Sequence, residues 1–273
     1  GGADGRTVGW SDAWSADDAL LPLEPSAAST LESALGRELS AIVEERLVAL
    51  VRLARSDAGW QPWRRTPPTE SEGAPAAGPF ATFRRPPLGF AHAAAPGAFC
   101  VKGSGVVPFP PLIVARWCAD VGSRAQFDPA LAVEPSRSDV AAQDEGSCRA
   151  WREQWRLRVP WPAPPRALSL LAHWRSTRDG GVAVLDVSPP PLAAVNVSPA
   201  ARAGEATAAP TAELAFAGWY LRPLHDGAAT HVTRVVSLDL CFEEQLREQL
   251  RDALAPIIER TAEMHAHAVE QLS

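Results

Sequence analysis

The stretch "RAWREQWRLR", residues 149–158, reads as a β-strand with two unlike sides. Side chains alternate across a strand. Trp151, Trp155 and Leu157 therefore share one side, and Arg152, Gln154, Arg156 and Arg158 share the other. One face is apolar and the other is wetted. Glu153 breaks the pattern, because it falls on the apolar side between two tryptophans. A lone carboxylate in such surroundings is costly, and its pKa tends to rise until it is neutral, bonded or watered.

Similar short extended runs surround this strand from about residue 80 onward. They are "FATFRR", "AFCVKGSGVV", "ALSLLAHWRS", "GVAVLDVS", "LAFAGWYLRPL" and "THVTRVVSLDL". Asp179-Gly180-Gly181 between two of them is a hairpin signal. "PPLIVARWCADVGSRAQFDP" interrupts the runs with a helical pattern whose prolines suit a first turn. At the N-terminal side, Leu31, Leu35, Leu39, Ile42, Val43, Leu47, Leu50 and Val51 form one apolar helical stripe, predicting a helix over 29–57. At the other end, residues 241–273 predict one long helix with Pro256 in its interior, either kinked for opening or wrapped around the sheet. Consecutive strands with tight turns, flanked by helices, make the class α+β with an antiparallel sheet. Residues 1–28 read as a flexible polar tail and 66–79 as a low-complexity loop.

Composition narrows the function. Twenty-six basic against thirty-two acidic residues leave a net charge of −6, which argues against general nucleic-acid affinity. No apolar run reaches the roughly 18–20 residues needed to span a bilayer. The opening "GGADGRTVGW" has neither an initiating methionine nor an apolar signal core, so it reads as a trimmed end. Cys100, Cys118, Cys148 and Cys241 lack metal-type spacing and read as reduced thiols of an intracellular protein. His265 and His267 stand two apart on a helix and point to different faces, so no metal is expected. "KGSGV" at 102–106 fits neither a phosphate loop nor a nucleophile elbow. Asn196-Val197-Ser198 matches a glycosylation sequon by chance.

The order of elements resembles the START family of lipid-transfer domains, which have a helix-grip fold. "THVTRVVSLDL" (230–240) with the following helix is similar to the family's last strand and lid. "GWYLRPL" (218–224) resembles the penultimate strand, and "VPWPAPPRALSLLAHWRS" (159–176) the proline loop, its arginine and the next strand. "VPFPPLIVARWCADVGSRAQFDP" (107–129) is similar to the helical insertion. The resemblance covers about 58–270 and implies a curved sheet around a long C-terminal helix, with an internal lipid cavity. Residues 29–273 would form that domain.

In the sterol-carrying branch an acidic residue and an arginine face each other inside the cavity. The resemblance puts the acid at Glu153, thirteen residues before Arg166, and puts Ala172 where the arginine belongs, with His173 and Arg175 on the other face. Glu153 either hydrogen-bonds a sterol hydroxyl or pairs with an arginine at the cavity edge. The expected lining is Trp151, Glu153, Trp155, Leu168, Leu170, Ala172, Val184, Phe216, Tyr220 and, on the lid, Leu250, Leu254 and Ile257. Ten tryptophans against one tyrosine read either as core packing or as a cage for a choline headgroup. Trp161, in the loop "VPWPAPPR", either touches a bilayer surface as part of the gate or folds back onto the lid. The expectation is a monomeric, cytoplasmic, peripherally membrane-associated carrier of one lipid, a sterol, with no catalytic residue and no cofactor. The alternatives are a phosphatidylcholine or other phospholipid carrier, a polyketide cyclase-like enzyme on the same fold, and a ligand-sensing module of a larger protein.

Overall fold

The computed structural model describes residues 20–22, 25–65, 80–86, 97–142, 148–188 and 212–272. The 66–79 loop, the sequon at 196–198 and most of the 1–28 segment lie outside them. Of that segment, Leu20 is buried and bridges Thr177, and the first helix already begins at Pro25.

One antiparallel sheet organises the chain. Its strands are β1 (Gln61–Arg65), β2 (Ala81–Arg85), β3 (Ala98–Val107), β4 (Leu131–Ala142), β5 (Cys148–Leu157), β6 (Arg166–Ser176), β7 (Val182–Val187), β8 (Glu213–Leu224) and β9 (Ala229–Asp239). The spatial order is β1-β2-β3-β9-β8-β7-β6-β5-β4. Strands consecutive in the chain are neighbours in the sheet except β3 and β4, between which the chain crosses from the β3–β9 pair to the far edge. That crossing carries two helices, α3 (Pro111–Ala119) and α4 (Val121–Phe127). Asp120 caps α4 by accepting from the Ser123 amide at 2.7 Å.

The N-terminal helix is two helices, α1 (Pro25–Leu35) and α2 (Arg37–Arg55), broken at Gly36. Gly36 sits at φ +81°, a conformation that costs glycine little and other residues much. Leu39, Val43, Leu47, Leu50 and Val51 of α2 bury their stripe against the outer face of the sheet, beside Leu171, Leu185 and Val235. Arg175 of β6 pairs with Glu44 of α2 at 2.5 Å on the same side.

The single long lid helix expected over 241–273 is instead α5 (Glu244–Gln249) and α6 (Leu254–His267), separated by residues 250–253. Pro256 explains the break. Proline has no N–H and its ring clashes with the carbonyl of the turn before it, so an unbroken helix through 256 is penalised. Starting a new helix at Leu254 puts Pro256 in the first turn, where the missing N–H costs nothing. Leu250, Ile257, Ala262 and Ala266 then pack on the inner face with Phe99, Val101, Trp155, Leu168, Leu170, Ala217 and Val236. Strands from both halves of the sheet thus close on one helix.

The approach is tight at Gly103. A Cβ there would stand 2.3 Å from the Ala266 carbonyl oxygen of α6. The glycine of "KGSGV" lets the last helix lie against strand backbone. The architecture is α+β and helix-grip.

Candidate functional site

Glu153 sits between two tryptophans because residues two apart on β5 share a face. Both indole Nε1–H groups donate to its carboxylate, Trp151 to Oε1 and Trp155 to Oε2. A buried indole needs an acceptor, and Glu153 supplies one to each ring. The guanidinium that faces it comes from the insertion and not from β6. Arg124 Nη1 lies 3.7 Å from Glu153 Oε2.

Arg124 is held mainly by Asp186 of β7, to which Nη1 donates at 3.1 Å and Nη2 donates to the second oxygen. Four residues on, at the end of α4, Asp128 lies on the same helix face as Arg124. Asp128 Oδ2 is 2.6 Å from Arg234 Nη2 of β9, and its Oδ1 accepts from the Ala130 amide at 3.1 Å. Arg234 Nη2 also reaches Nδ1 of His265 on α6, at 3.3 Å. Five elements thus bring two arginines, three carboxylates and one histidine together, all buried.

The electrostatics follow from burial and pairing. Burial pushes the Glu153 carboxyl above its ordinary range, and Asp186 adds to the push, while Arg124 and the two indoles pull it back. Burial also works against the charge of Asp128, but Arg234 and Arg124 outweigh it and leave that carboxyl below its usual value. Burial, reinforced by Arg234, drives His265 down to about 3, so its imidazole is neutral at ordinary pH.

Aromatic rings complete the site. The Arg124 guanidinium stands 5.2 Å above the Trp155 ring and that of Arg234 4.5 Å above Trp219. Phe127 meets Trp219 edge to face, with centroids 5.8 Å apart.

The structure puts Trp151, Glu153, Trp155, Leu168, Leu170, Ala172 and Val184 on the inner face, with Leu250 and Ile257 packed there and Leu254 half-buried at the edge. Phe216 and Tyr220 are placed differently. They lie on the outer face against α2, Tyr220 donating to Asp179 at 2.7 Å, while Ala217, Trp219 and Leu221 point inward. A register shift between Leu214 and Phe216 sets that phase. Strand β8 is buried on both faces, so its sequence carries no alternation to reveal it.

Arg124, Asp128, Asp186, Arg234 and His265 were not among the expected lining residues. The alternation that singles out Glu153 also singles out Asp186 after Val182 and Val184, and Arg234 between Val232 and Val236. His265 turns inward, whereas His267 pairs with Glu270 at 3.2 Å.

At the end near β5 and β6, the 158–165 loop is anchored by buried Val159 and Ala163, which join the inner cluster. Trp161 between them is 90% exposed. Arg166, the first residue of β6, is buried over the Phe242 ring at 4.9 Å.

No protein-family profile matches the chain, and no curated protein matches it in sequence. Solved structures do. Human StAR-related lipid transfer protein 5 is 16% identical, with a TM-score of 0.51 over 88% of this chain and 98% of that one. The human StarD13 lipid transfer and protein localization domain is 13% identical, with a TM-score of 0.48 over 87% and 97%. The aromatase/cyclase Zhui from Streptomyces is 12% identical, with a TM-score of 0.34 over 64% and 93%. The chain has the START-like helix-grip fold. Among the described residues, no helix is long and apolar enough to cross a membrane, and no cluster of His, Cys, Asp and Glu suits a metal ion.

Proposed function

We propose that the chain is a non-enzymatic carrier that encloses one lipid, a sterol, and moves it between membranes. The observation that carries this reading is the buried polar cluster, set on the inner face of a helix-grip sheet and reached by His265 of the last helix. The polar end of the lipid meets that cluster. Its ring system lies against Trp155, Leu168, Leu170 and Val184 and beneath Leu250 and Ile257. Apolar burial at about 25 cal/mol per Å² supplies the affinity, and a polar contact of about 1 kcal/mol net orients the guest. The 158–165 loop and the α5–α6 segment form the gate, with Trp161 entering the bilayer interface. The carrier works as a cytoplasmic monomer with transient membrane contact.

A choline carrier would need open tryptophan faces for cation–π attraction. One face each of Trp155 and Trp219 already carries a guanidinium of the protein, which weighs against phosphatidylcholine. The convergence of six titratable groups favours one second reading, an enzyme on the same grip. Against it, each carboxylate already lies against a donor within the protein.

Native mass spectrometry of the purified protein after incubation with a membrane lipid extract tests the proposal. One sterol mass per chain is expected. A chain that acquires no lipid of any kind overturns the carrier reading and favours the enzyme.

A further inference from the structure

Arg166 takes no part in the polar cluster. It opens β6, and alternation along that strand puts it on the same side as Leu168 and Leu170 of the inner face. It follows directly on the 158–165 loop, and its guanidinium lies over the Phe242 ring at 4.9 Å. Only 1% of the residue is exposed, yet Nε and Nη2 are buried without a hydrogen-bond partner. Burial presses its pKa down, and the exposed Glu243 offsets that only in part. The other buried arginines are better served. Arg124 has Asp186, Arg175 has Glu44 and Arg234 has Asp128.

Arginine has only donors and keeps its charge, so the group that completes Arg166 is an anion with oxygen lone pairs. Its place on the sheet says what carries that anion. In the β5–β6 register Leu157 lies opposite Arg166, and Glu153 lies opposite Leu170. The four residues between those two levels span about 13 Å of strand. Over that span the inner face shows only Trp155, Leu157, Leu168 and Leu170. An apolar stretch thus has a polar anchor at each end, and a steroid nucleus with a short side chain matches it in length. The deeper anchor does not call for an anion, because Asp186 and Asp128 already meet its two arginines and Glu153 stands beside them. A sterol whose ring hydroxyl sits at the cluster turns its side chain towards Arg166. A hydrocarbon tail there leaves the guanidinium as unpaired as before.

We propose that the carried sterol is a sterol acid, whose side chain ends in a carboxylate that pairs with Arg166 while its ring hydroxyl meets the polar cluster. This inference rests on the carrier reading above and names the class of sterol, and its test separates the two.

Three probes with one ring system are offered to the full chain at neutral pH, and their dissociation constants are compared. They are cholesterol, hydroxycholenic acid, whose shortened tail ends in a carboxylate, and the methyl ester of that acid. The acid should bind about tenfold more tightly than its ester, the size of one charge-assisted hydrogen bond. Arg166→Gln should erase that difference without weakening cholesterol, and Arg166→Lys, which keeps the charge, should retain part of it. Equal affinity for acid and ester, tighter binding of the ester, or a preference that survives Arg166→Gln overturns the sterol acid and leaves the carrier intact. Binding of no probe at all overturns both. Should Arg166→Gln not fold, nuclear Overhauser contacts in the parent protein decide. The side-chain methylenes of the bound acid should contact the Phe242 ring protons, and their absence overturns the assignment.

Discussion

Arg124, on a seven-residue helix, grips Asp186 of strand β7 through both terminal guanidinium nitrogens, and both residues are buried. The pair ties the insertion to the inner face of the sheet, beneath the two tryptophans of β5. Removing one member strands the other without water. Asp186→Leu should cost about 3–5 kcal/mol of unfolding free energy. A double replacement, Arg124→Leu with Asp186→Leu, should cost less than the two single changes combined. Urea titrations of the four proteins complete the cycle, and strict additivity would show that the contact does not operate in solution.

Glu153→Ala leaves two buried indole N–H groups without acceptors. At about 1–3 kcal/mol for each orphan, the variant should be several kcal/mol less stable, with an altered tryptophan emission maximum. Glu153→Gln should recover about half of the loss, because its oxygen serves one indole while its NH2 group confronts the other. An emission spectrum and stability identical to the parent's would place those indoles elsewhere.

Acid should destabilise the fold well before the carboxylates titrate. Burial holds His173 at about 3, His265 at about 3 and His231 at about 4. The unfolded chain takes up these protons near pH 6.5. Stability is therefore complete above pH 6.5 and falls as the pH drops towards 4 and then 3. Each fully buried imidazole contributes up to about 1.4 kcal/mol per pH unit, and the half-buried His231 contributes less. Glu153 acts in the opposite sense, since a raised carboxyl loses stability as pH rises, but it is one group against three. Thermal melts from pH 7 down to pH 4.5 should show a steady fall in Tm, and a flat profile would contradict the burial of these rings.

Gly103→Ala drives a methyl group into the Ala266 carbonyl at 2.3 Å. Strand and helix backbone must separate, at a cost of about 1–3 kcal/mol. Hydrogen exchange should quicken along α6 more than along α2, which packs on the other face of the sheet.

Trp161→Ala should leave stability within about 0.5 kcal/mol of the parent, because the ring is exposed and packs on nothing in the core. Cosedimentation with phosphatidylcholine–phosphatidylserine vesicles should weaken several-fold. Undiminished vesicle binding would remove Trp161 from the gate.

Much of the fold was legible because it is written in local periodicity. The 149–158 alternation, the α2 stripe and the Asp179-Gly180-Gly181 turn each follow from residues within a few positions of one another. The C-terminal helical segment was misread at Pro256 for a related reason. A hydrophobic stripe persists across a break in the backbone, so periodicity alone cannot tell one helix from two.

The sequence by itself determined that a carboxylate lies on the apolar face of β5, since parity along a single strand is fixed by backbone geometry. It could not determine what that carboxylate meets. Arg124 is twenty-nine positions away, Asp186 thirty-three, and the oxygens of Asp128 find Arg234 only after the chain has crossed the sheet. Those partners were decided by tertiary structure, because a buried charge is stabilised by whatever opposite charge the fold carries to it, and distance in space leaves no trace in the spacing of letters. The phase of β8 was decided the same way: with both faces buried, the register shift between Leu214 and Phe216 and the packing of Gly218 and Tyr220 against α2 select which side looks inward.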